Sequence, residues 1–282
     1  MESRSLKNYT EVTKLVVHGV HVDIEQYPYT AQVIIEESSV CGGAIISNRV
    51  IVTAAHCLVD DNNKPLDPDL IEVYLGSEIA MQGAHYDVCK LFKHPKYENN
   101  TEQDYFWDIG LLLLSRHIKL SRRVEIATIA PTSKWRNVRN TMTIAGFGTT
   151  DNTEELTKTM KATRMKYVDS RICNLSQTGG KEMMPVPSHM FCMVGLTWTS
   201  DCRGDSGSPI TWRSYIVGLV SLGRDSRDGS CGSEGIPSMY TDLTYFRLWL
   251  KHQVKELEST STKECEIKIR TKIRLRASLS NC

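Results

Sequence analysis

The chain has 282 residues, of which 40% are hydrophobic and 24% are charged, and its formal net charge is +1. This composition is typical of a globular protein with one large domain or two closely packed ones, and it excludes general disorder. The near-zero charge argues against a nucleic-acid or membrane-surface binder, and no apolar run approaches the roughly 18 residues that a membrane span needs.

The first part of the chain, residues 1–14, is polar and is predicted to be a pro-segment or an unstructured arm. After it, short runs of β-branched and aliphatic residues alternate with turn residues. These runs are 33–35, 43–46, 50–53, 73–75, 88–92, 109–114, 142–145 and 216–221. Many short strands without intervening helices predict an all-β sandwich or a pair of β-barrels.

The last part of the chain contains one predicted helix and a basic tail. Tyr245, Leu248, Trp249 and His252 follow the spacing of one helical face. In the tail, residues 258–282, isoleucine and leucine alternate with lysine and arginine. The alternation would suit an amphipathic strand that binds an anionic surface, but a solvated, partly disordered tail is the simpler interpretation and the one we favour.

Nine cysteines are spread along the chain without a Cys-x-x-Cys pair. This pattern favours disulfides formed in an oxidising compartment over a zinc ribbon or a thioredoxin-type site. The first residues contain no apolar segment of the kind that a signal peptide needs. We therefore expect a secreted, extracellular protein whose true start is missing from this sequence.

Three short segments carry groups suited to nucleophilic chemistry. In Gly204-Asp205-Ser206-Gly207 a serine stands between two glycines, which suits an exposed nucleophile, although an ordinary surface turn is the simpler interpretation of this segment alone. His56 follows an apolar run, where a lone histidine is usually structural. Asp108 precedes the apolar run 109–114, where a carboxylate must be exposed or paired. Pairing with an imidazole would compensate its burial and fix the imidazole tautomer.

Together these segments resemble the motifs of trypsin/chymotrypsin-type serine proteases, the S1 peptidase family. Thr-Ala-Ala-His-Cys at 53–57 is similar to the family's histidine motif, Asp-Ile-Gly-Leu-Leu at 108–112 to its aspartate motif, and Asp-Ser-Gly at 205–207 to its serine motif. The order is the family's own. The resemblance implies a protease domain over 15–257, built of two packed antiparallel six-stranded β-barrels, roughly 15–130 and 131–240, and a C-terminal α-helix.

The resemblance also implies an endopeptidase mechanism. Ser206 would be the nucleophile, His56 its base, and Asp108 the group that orients the imidazole. The backbone N–H groups of Gly204 and Ser206 would form the oxyanion hole. We expect polypeptide substrates, a monomer that protein protease inhibitors could block, no nucleic-acid partner, no cofactor and no metal ion.

Six of the nine cysteines match the family's pairs by position. The pairs that the resemblance implies are Cys41–Cys57, Cys173–Cys192 and Cys202–Cys231. Cys89, Cys265 and Cys282 are left over, and a tail cysteine could pair with Cys89. An odd count leaves at least one thiol free or intermolecular.

Activation is the less regular part of the resemblance. Family members are zymogens in which cleavage frees an amine that pairs with the aspartate before the serine, here Asp205. Val16 takes the place of the first mature residue. Lys14, the basic residue, then lies one position too early, so cleavage after it would leave Leu15 as an extra residue. We expect a zymogen with an irregular activation site.

The substrate pocket is predicted by alignment with the family on the serine motif. Its floor falls on Ser200, where a trypsin has a carboxylate, and Asp201 either reaches the pocket or faces away from it. Gly223 keeps one wall open, Ser238 replaces a usual glycine, and Ser221 matches a contact with the substrate backbone. We expect chymotrypsin-like or mixed specificity rather than strictly trypsin-like specificity.

A second hypothesis comes from a different functional class. The irregular activation site, a leucine in place of a usual tryptophan at Leu222, and the basic tail would suit a weakly active or non-catalytic homologue that binds a partner. The presence of His56, Asp108, Ser206 and Gly204 favours the enzyme.

Overall fold

The computed structural model describes residues 19–36, 39–98, 106–149, 157–178, 185–196, 200–222, 231 and 237–267. These residues form thirteen strands: β1 (Val20–His21), β2 (Thr30–Ile35), β3 (Ser39–Ile45), β4 (Val50–Thr53), β5 (Ile71–Leu75), β6 (Ala84–Lys93), β7 (Gly110–Leu114), β8 (Thr141–Gly146), β9 (Lys161–Val168), β10 (Met190–Gly195), β11 (Pro209–Trp212), β12 (Tyr215–Leu222) and β13 (Ser238–Asp242). Two named α-helices accompany them, α1 (Ser170–Thr178) and α2 (Arg247–Glu258), and residues 262–267 are also helical.

The first barrel closes in the strand order β2-β3-β4-β7-β6-β5, with every pair antiparallel. Successive side chains of a strand point to opposite faces, so a barrel strand buried on both faces is a continuous apolar run. In β7, Leu112 and Leu114 pack inside this barrel, whereas Leu111 and Leu113 pack outside it against the second barrel.

The second barrel closes in the order β9-β10-β13-β12-β11-β8, and β8 pairs back with β9. The short strand β1 adds to the outer edge of β9. Trp135, Phe191 and Tyr240 are among the large side chains of its interior. The predicted fold of two six-stranded antiparallel barrels is confirmed.

Helix α2 covers the junction of the two barrels. Phe246 and Leu250 pack with Leu111 and Leu113 of the first barrel and with Ile216 of the second. The predicted C-terminal helix is confirmed and extends to Glu258. Among the described helices, none has the length and apolar content that would let it cross a membrane.

Four disulfides join the described cysteines. They are Cys41–Cys57, Cys173–Cys192, Cys202–Cys231 and Cys89–Cys265. The fourth links β6 to the residues after α2, so the tail cysteine that pairs with Cys89 is Cys265. Of the nine cysteines, Cys282 alone has no part in these bonds, and it lies outside the described residues.

Candidate active site

His56 and Asp108 come from adjacent segments of the first barrel. Strand β4 ends at Thr53, and a short 3-10 turn, Ala55–Leu58, carries His56. Asp108 lies two residues before β7, which pairs with β4. The Asp108 carboxylate accepts hydrogen bonds from the His56 backbone N–H at 2.9 Å and from His56 Nδ1 at 2.8 Å. Because both carboxylate oxygens are engaged, the imidazole and its tautomer are fixed.

The two side chains differ in exposure, which sets their electrostatics. The Asp108 side chain is fully buried, whereas the His56 side chain remains 23% exposed. Burial alone would lower the pKa of His56, but the charge and hydrogen bond of Asp108 outweigh it and raise the pKa above its usual value. Burial likewise opposes ionisation of Asp108. The charge of the His56 imidazole and the hydrogen bonds that the Asp108 carboxylate accepts outweigh burial and lower the pKa of Asp108. The pair is therefore poised as a carboxylate beside a basic imidazole.

The second barrel also holds Asp108. Ser221, on β12, donates its hydroxyl to Asp108 Oδ2 at 2.6 Å, and Thr241, on β13, donates to the Asp108 backbone carbonyl at 2.8 Å. The sequence singled out Ser221 for a contact with substrate backbone and did not predict this bond. The only signal in the sequence was a hydroxyl at the end of the apolar run 216–221, which does not indicate its partner.

The loop that carries Ser206 is docked against the strand that leads to His56. The Ser206 carbonyl accepts from the Gly42 N–H at 2.7 Å. Thr53 Oγ1 donates to the Gly42 carbonyl at 2.7 Å. Gly207 has φ +79°, and a Cβ there would lie 2.3 Å from Thr53 Oγ1, so this close approach requires glycine. Ser206 is partly exposed. The serine and histidine segments thus meet at one place.

The same loop offers two backbone donors. Gly204 adopts φ +88°, a conformation that favours glycine. Within the part of the chain that the structure describes, the N–H groups of Gly204 and Ser206 donate to no backbone carbonyl. Backbone N–H groups that are free to meet an external oxygen are what an oxyanion hole requires.

Asp205 lies beneath this loop and is 1% exposed. Its carboxylate accepts from the Gly148 N–H at 2.9 Å and from the Cys202 N–H at 3.1 Å. Burial raises the pKa of Asp205 to about 7, although the two N–H groups act in the opposite direction. The predicted activation residues Lys14, Leu15 and Val16 lie outside the described residues.

The predicted pocket residues are only partly described. Ser200 and Asp201 are buried, and the Tyr240 hydroxyl donates to Asp201 Oδ1 at 2.5 Å. Burial raises the pKa of Tyr240 well above its usual value, so the phenol stays protonated and can donate this hydrogen bond. Ser238 is buried and hydrogen-bonds the same tyrosine. Gly223 lies outside the described residues.

Comparison with known proteins identifies the family of this site. Residues 16–250 match the family model Trypsin. Trypsin from Sarcophaga bullata is 29% identical over 248 residues, which cover 86% of this chain and 90% of that protein. Transmembrane protease serine 11A from Homo sapiens is 28% identical over 241 residues, which are 83% of this chain and 54% of that protein. The chain therefore spans about half the length of this second relative.

A solved structure of similar fold comes from the scabies mite, the inactivated protease paralogue S-D1. Its TM-score is 0.72 at 21% sequence identity, with 84% of this chain and 96% of that chain covered. The family match includes both barrels and the segments that carry His56, Asp108 and Ser206. On this evidence the chain belongs to the trypsin family of serine proteases.

Proposed function

We propose that the chain is a secreted serine endopeptidase that hydrolyses peptide bonds in polypeptides through an acyl-enzyme. The observation that carries the proposal is the pairing of His56 with buried Asp108, next to the docked loop of Ser206. A serine hydroxyl is a weak nucleophile at neutral pH and needs an adjacent base. With Nδ1 bonded to Asp108, Nε2 of His56 is the nitrogen that serves as this base.

The proposed reaction has two halves, with the roles of the family's Ser-His-Asp triad. Ser206 Oγ attacks the scissile carbonyl carbon while His56 takes the hydroxyl proton, and Gly204 and Ser206 N–H groups stabilise the oxyanion. The C–N bond then breaks, His56 protonates the leaving amine, and the acyl group stays on Ser206. In the second half a water molecule, deprotonated by His56, releases the acid product and restores the hydroxyl.

The proposed specificity is chymotrypsin-like or mixed. Ser200 offers a hydroxyl where a strictly trypsin-like pocket has a carboxylate. Asp201, the adjacent carboxylate, is 3% exposed and accepts the Tyr240 hydroxyl, which supports the alternative in which it does not face a substrate cation. A neutral pocket floor favours apolar and aromatic side chains over lysine and arginine because it gives a buried cation no counter-charge.

The proposed regulation is that of a zymogen, in which cleavage near Lys14 frees an amine for Asp205. The support is a carboxylate that is almost fully buried beneath the serine loop. A buried carboxylate is stabilised by a cation more than by two N–H groups alone.

The experiment is hydrolysis of a peptide library by the protein after controlled cleavage near Lys14, with Ser206→Ala as the control. We expect cleavage after large apolar residues, and none by the Ser206→Ala variant. Equal, negligible hydrolysis by both proteins would instead support the second candidate, a non-catalytic binding homologue, for which the inactivated scabies mite paralogue is a precedent of fold.

A further inference from the structure

Lys161, the first residue of β9, is only 3% exposed. Lysine is almost never buried to this extent unless it is paired, because moving an ammonium group out of water is strongly unfavourable. The other lysine of the same strand, Lys166, is exposed, as lysines usually are. Lys161 therefore needs an anionic or strongly polar environment inside the second barrel.

The register of the barrel directs Lys161 toward Asp205. Lys161 is the direct cross-strand partner of Gly146 on β8. Residues directly opposite each other in an antiparallel pair project from the same face of the sheet, about 5 Å apart. A Cβ on Gly146 would lie 2.6 Å from Asp205 Oδ1, so Asp205 occupies the space that this face encloses. The lysine side chain enters that space from the neighbouring strand.

Lys161 differs in charge from the other described groups around Asp205. Asp201 is a second carboxylate close enough to raise the pKa of Asp205, whereas Lys161 lowers it. Tyr240 is neutral, and its hydroxyl donates a hydrogen bond to Asp201. The Gly148 and Cys202 N–H groups hydrogen-bond the Asp205 carboxylate, and the buried Ser208 hydroxyl also faces Gly146. Lys161 is thus the cationic side chain, among the described residues, whose charge acts on Asp205.

We propose that Lys161 is a positioning residue that neutralises Asp205 in the uncleaved chain and so holds the serine loop organised before activation. Asp205 stands between Gly204 and Ser206 in the chain, so its position fixes both N–H donors. The inference rests on the proposed zymogen activation of the same site. It implies that the uncleaved chain has intrinsic reactivity, and that cleavage, which supplies a second cation, makes Lys161 less important.

The first test measures the charge pairing without using activity. Unfolding in urea is followed between pH 5.5 and 9 for the wild type, Lys161→Met and the matched exposed control Lys166→Met. Without Lys161 the pKa of Asp205 in the folded state rises further. The folded variant therefore keeps Asp205 protonated up to a higher pH than the wild type does, and it loses stability as pH rises toward that value. We expect the stability of Lys161→Met, relative to wild type, to fall as pH rises from about 6 to 9. A pH dependence equal to that of Lys166→Met overturns the pairing.

The second test measures the consequence for the serine loop. The rate of Ser206 modification by a fluorophosphonate is measured on intact chains, verified by mass, and on chains cleaved near Lys14. At pH 8 we expect intact Lys161→Met to react about tenfold more slowly than intact wild type, which corresponds to one pKa unit of lost interaction. Among the cleaved chains we expect the modification rates of wild type and Lys161→Met to agree within about twofold.

The outcomes separate the two proposals. Equal rates for intact wild type and intact Lys161→Met, in chains whose cleaved forms react, overturn the role of Lys161 and leave the protease intact as a proposal. Failure of the cleaved wild type to react contradicts the protease, and the urea measurement still decides whether Lys161 neutralises Asp205.

Discussion

Asp108 is the residue on which both barrels converge. The first barrel provides the two hydrogen bonds from His56, and the second provides the hydroxyl of Ser221 and the Thr241 bond to the backbone. A buried carboxylate that loses a donor is left partly unsatisfied, which destabilises the folded state. The orientation of the imidazole therefore depends on how the barrels fit together, and not on its own strand alone.

Removal of the Ser221 hydroxyl tests this dependence. We expect Ser221→Ala to lower the free energy of unfolding by about 1–3 kcal/mol, because Asp108 loses one of its donors. Fluorophosphonate modification of Ser206 should slow by about tenfold, the equivalent of 1.4 kcal/mol. Ser214→Ala, an exposed serine in the turn before β12, is the matched control. An unchanged stability and rate in Ser221→Ala would contradict the assigned contact.

The raised pKa of His56 predicts the acid limb of the pH profile. The imidazole is a base only when neutral, so the rate of Ser206 modification should be full above the pKa of His56 and fall as pH drops through it. Because Asp108 raises that pKa, the fall should begin above pH 6.5, the usual value. Asp108→Asn should move the limb to lower pH and reduce the rate by about 10⁴-fold, as in other triads of this type. Asp87→Asn, at an exposed position on β6, should change neither the limb nor the rate.

The sequence predicted the residues of the site better than their contacts. His56, Asp108 and Ser206 lie in short motifs that indicate their candidate roles from the sequence alone. The bond from Ser221 to Asp108 joins residues 113 positions apart in different barrels, and no local pattern indicates such a pair. The orientation of Asp201 was left open for the same reason, since it depends on Tyr240 of another strand.

At the scale of elements, runs of β-branched and aliphatic residues predicted eight of the thirteen described strands, β2 to β8 and β12. The strands that were not predicted are β1, β9, β10, β11 and β13. In β9, Lys161 and Thr163 occupy buried positions, so polar residues interrupt the apolar pattern on the buried face. Strand β11 begins with a proline and has four residues, which is too short for a period to be visible. Tertiary pairing, and not local propensity, makes these segments strands.

The disulfide Cys89–Cys265 anchors the residues after α2 to β6 and predicts a stability effect. It closes a loop of 176 residues, and buried Arg49 supports it with hydrogen bonds to the Thr260 carbonyl and to Cys265 Sγ. We expect Cys89→Ser/Cys265→Ser to lower the free energy of unfolding by about 2–4 kcal/mol. Cys282→Ser, which removes a thiol but none of the four described disulfides, is the control. Equal stability of the two variants would show that the bond contributes little.

Two buried histidines should make the stability of the folded protein depend on pH in the acid range. His94 and His189 both stack on Trp107, with ring centroids 4.9 and 4.1 Å away. Their ring nitrogens accept from the backbone N–H groups of Lys96 and Trp107. Burial lowers the pKa of each to about 4; Lys96 acts in the same direction on both histidines, and His94 does so on His189. The folded protein therefore disfavours the protonated form of both.

The contribution of these two histidines to stability should accordingly be full above pH 6.5, where histidines of the unfolded chain are neutral, and decline as pH falls from 6.5 to 4. Urea unfolding across this range measures the slope. His94→Gln/His189→Gln should flatten it, whereas His252→Gln, an exposed position on α2, should not. An identical slope in the double variant and the wild type would remove these histidines as its cause.

At the scale of the whole molecule, the site exists because two barrels close against each other. The first barrel supplies His56 and Asp108, and the second supplies Ser221 and the loop of Ser206 before β11. The shared apolar junction, which includes Leu111, Leu113 and Ile216, helps to align these parts. The sequence predicted two barrels through its motifs, but the alignment of the barrels follows from packing that becomes visible only in the fold.

Covalent modification of Ser206 tests the central claim most directly. The protein, cleaved near Lys14, is treated with a fluorophosphonate, and the adduct is located by peptide mass mapping. We predict one adduct on Ser206, formed rapidly in the wild type and lost in His56→Ala, because the hydroxyl needs the imidazole to react. The absence of an adduct on Ser206 in the cleaved wild type, or its formation at an equal rate in His56→Ala, would contradict the proposed mechanism.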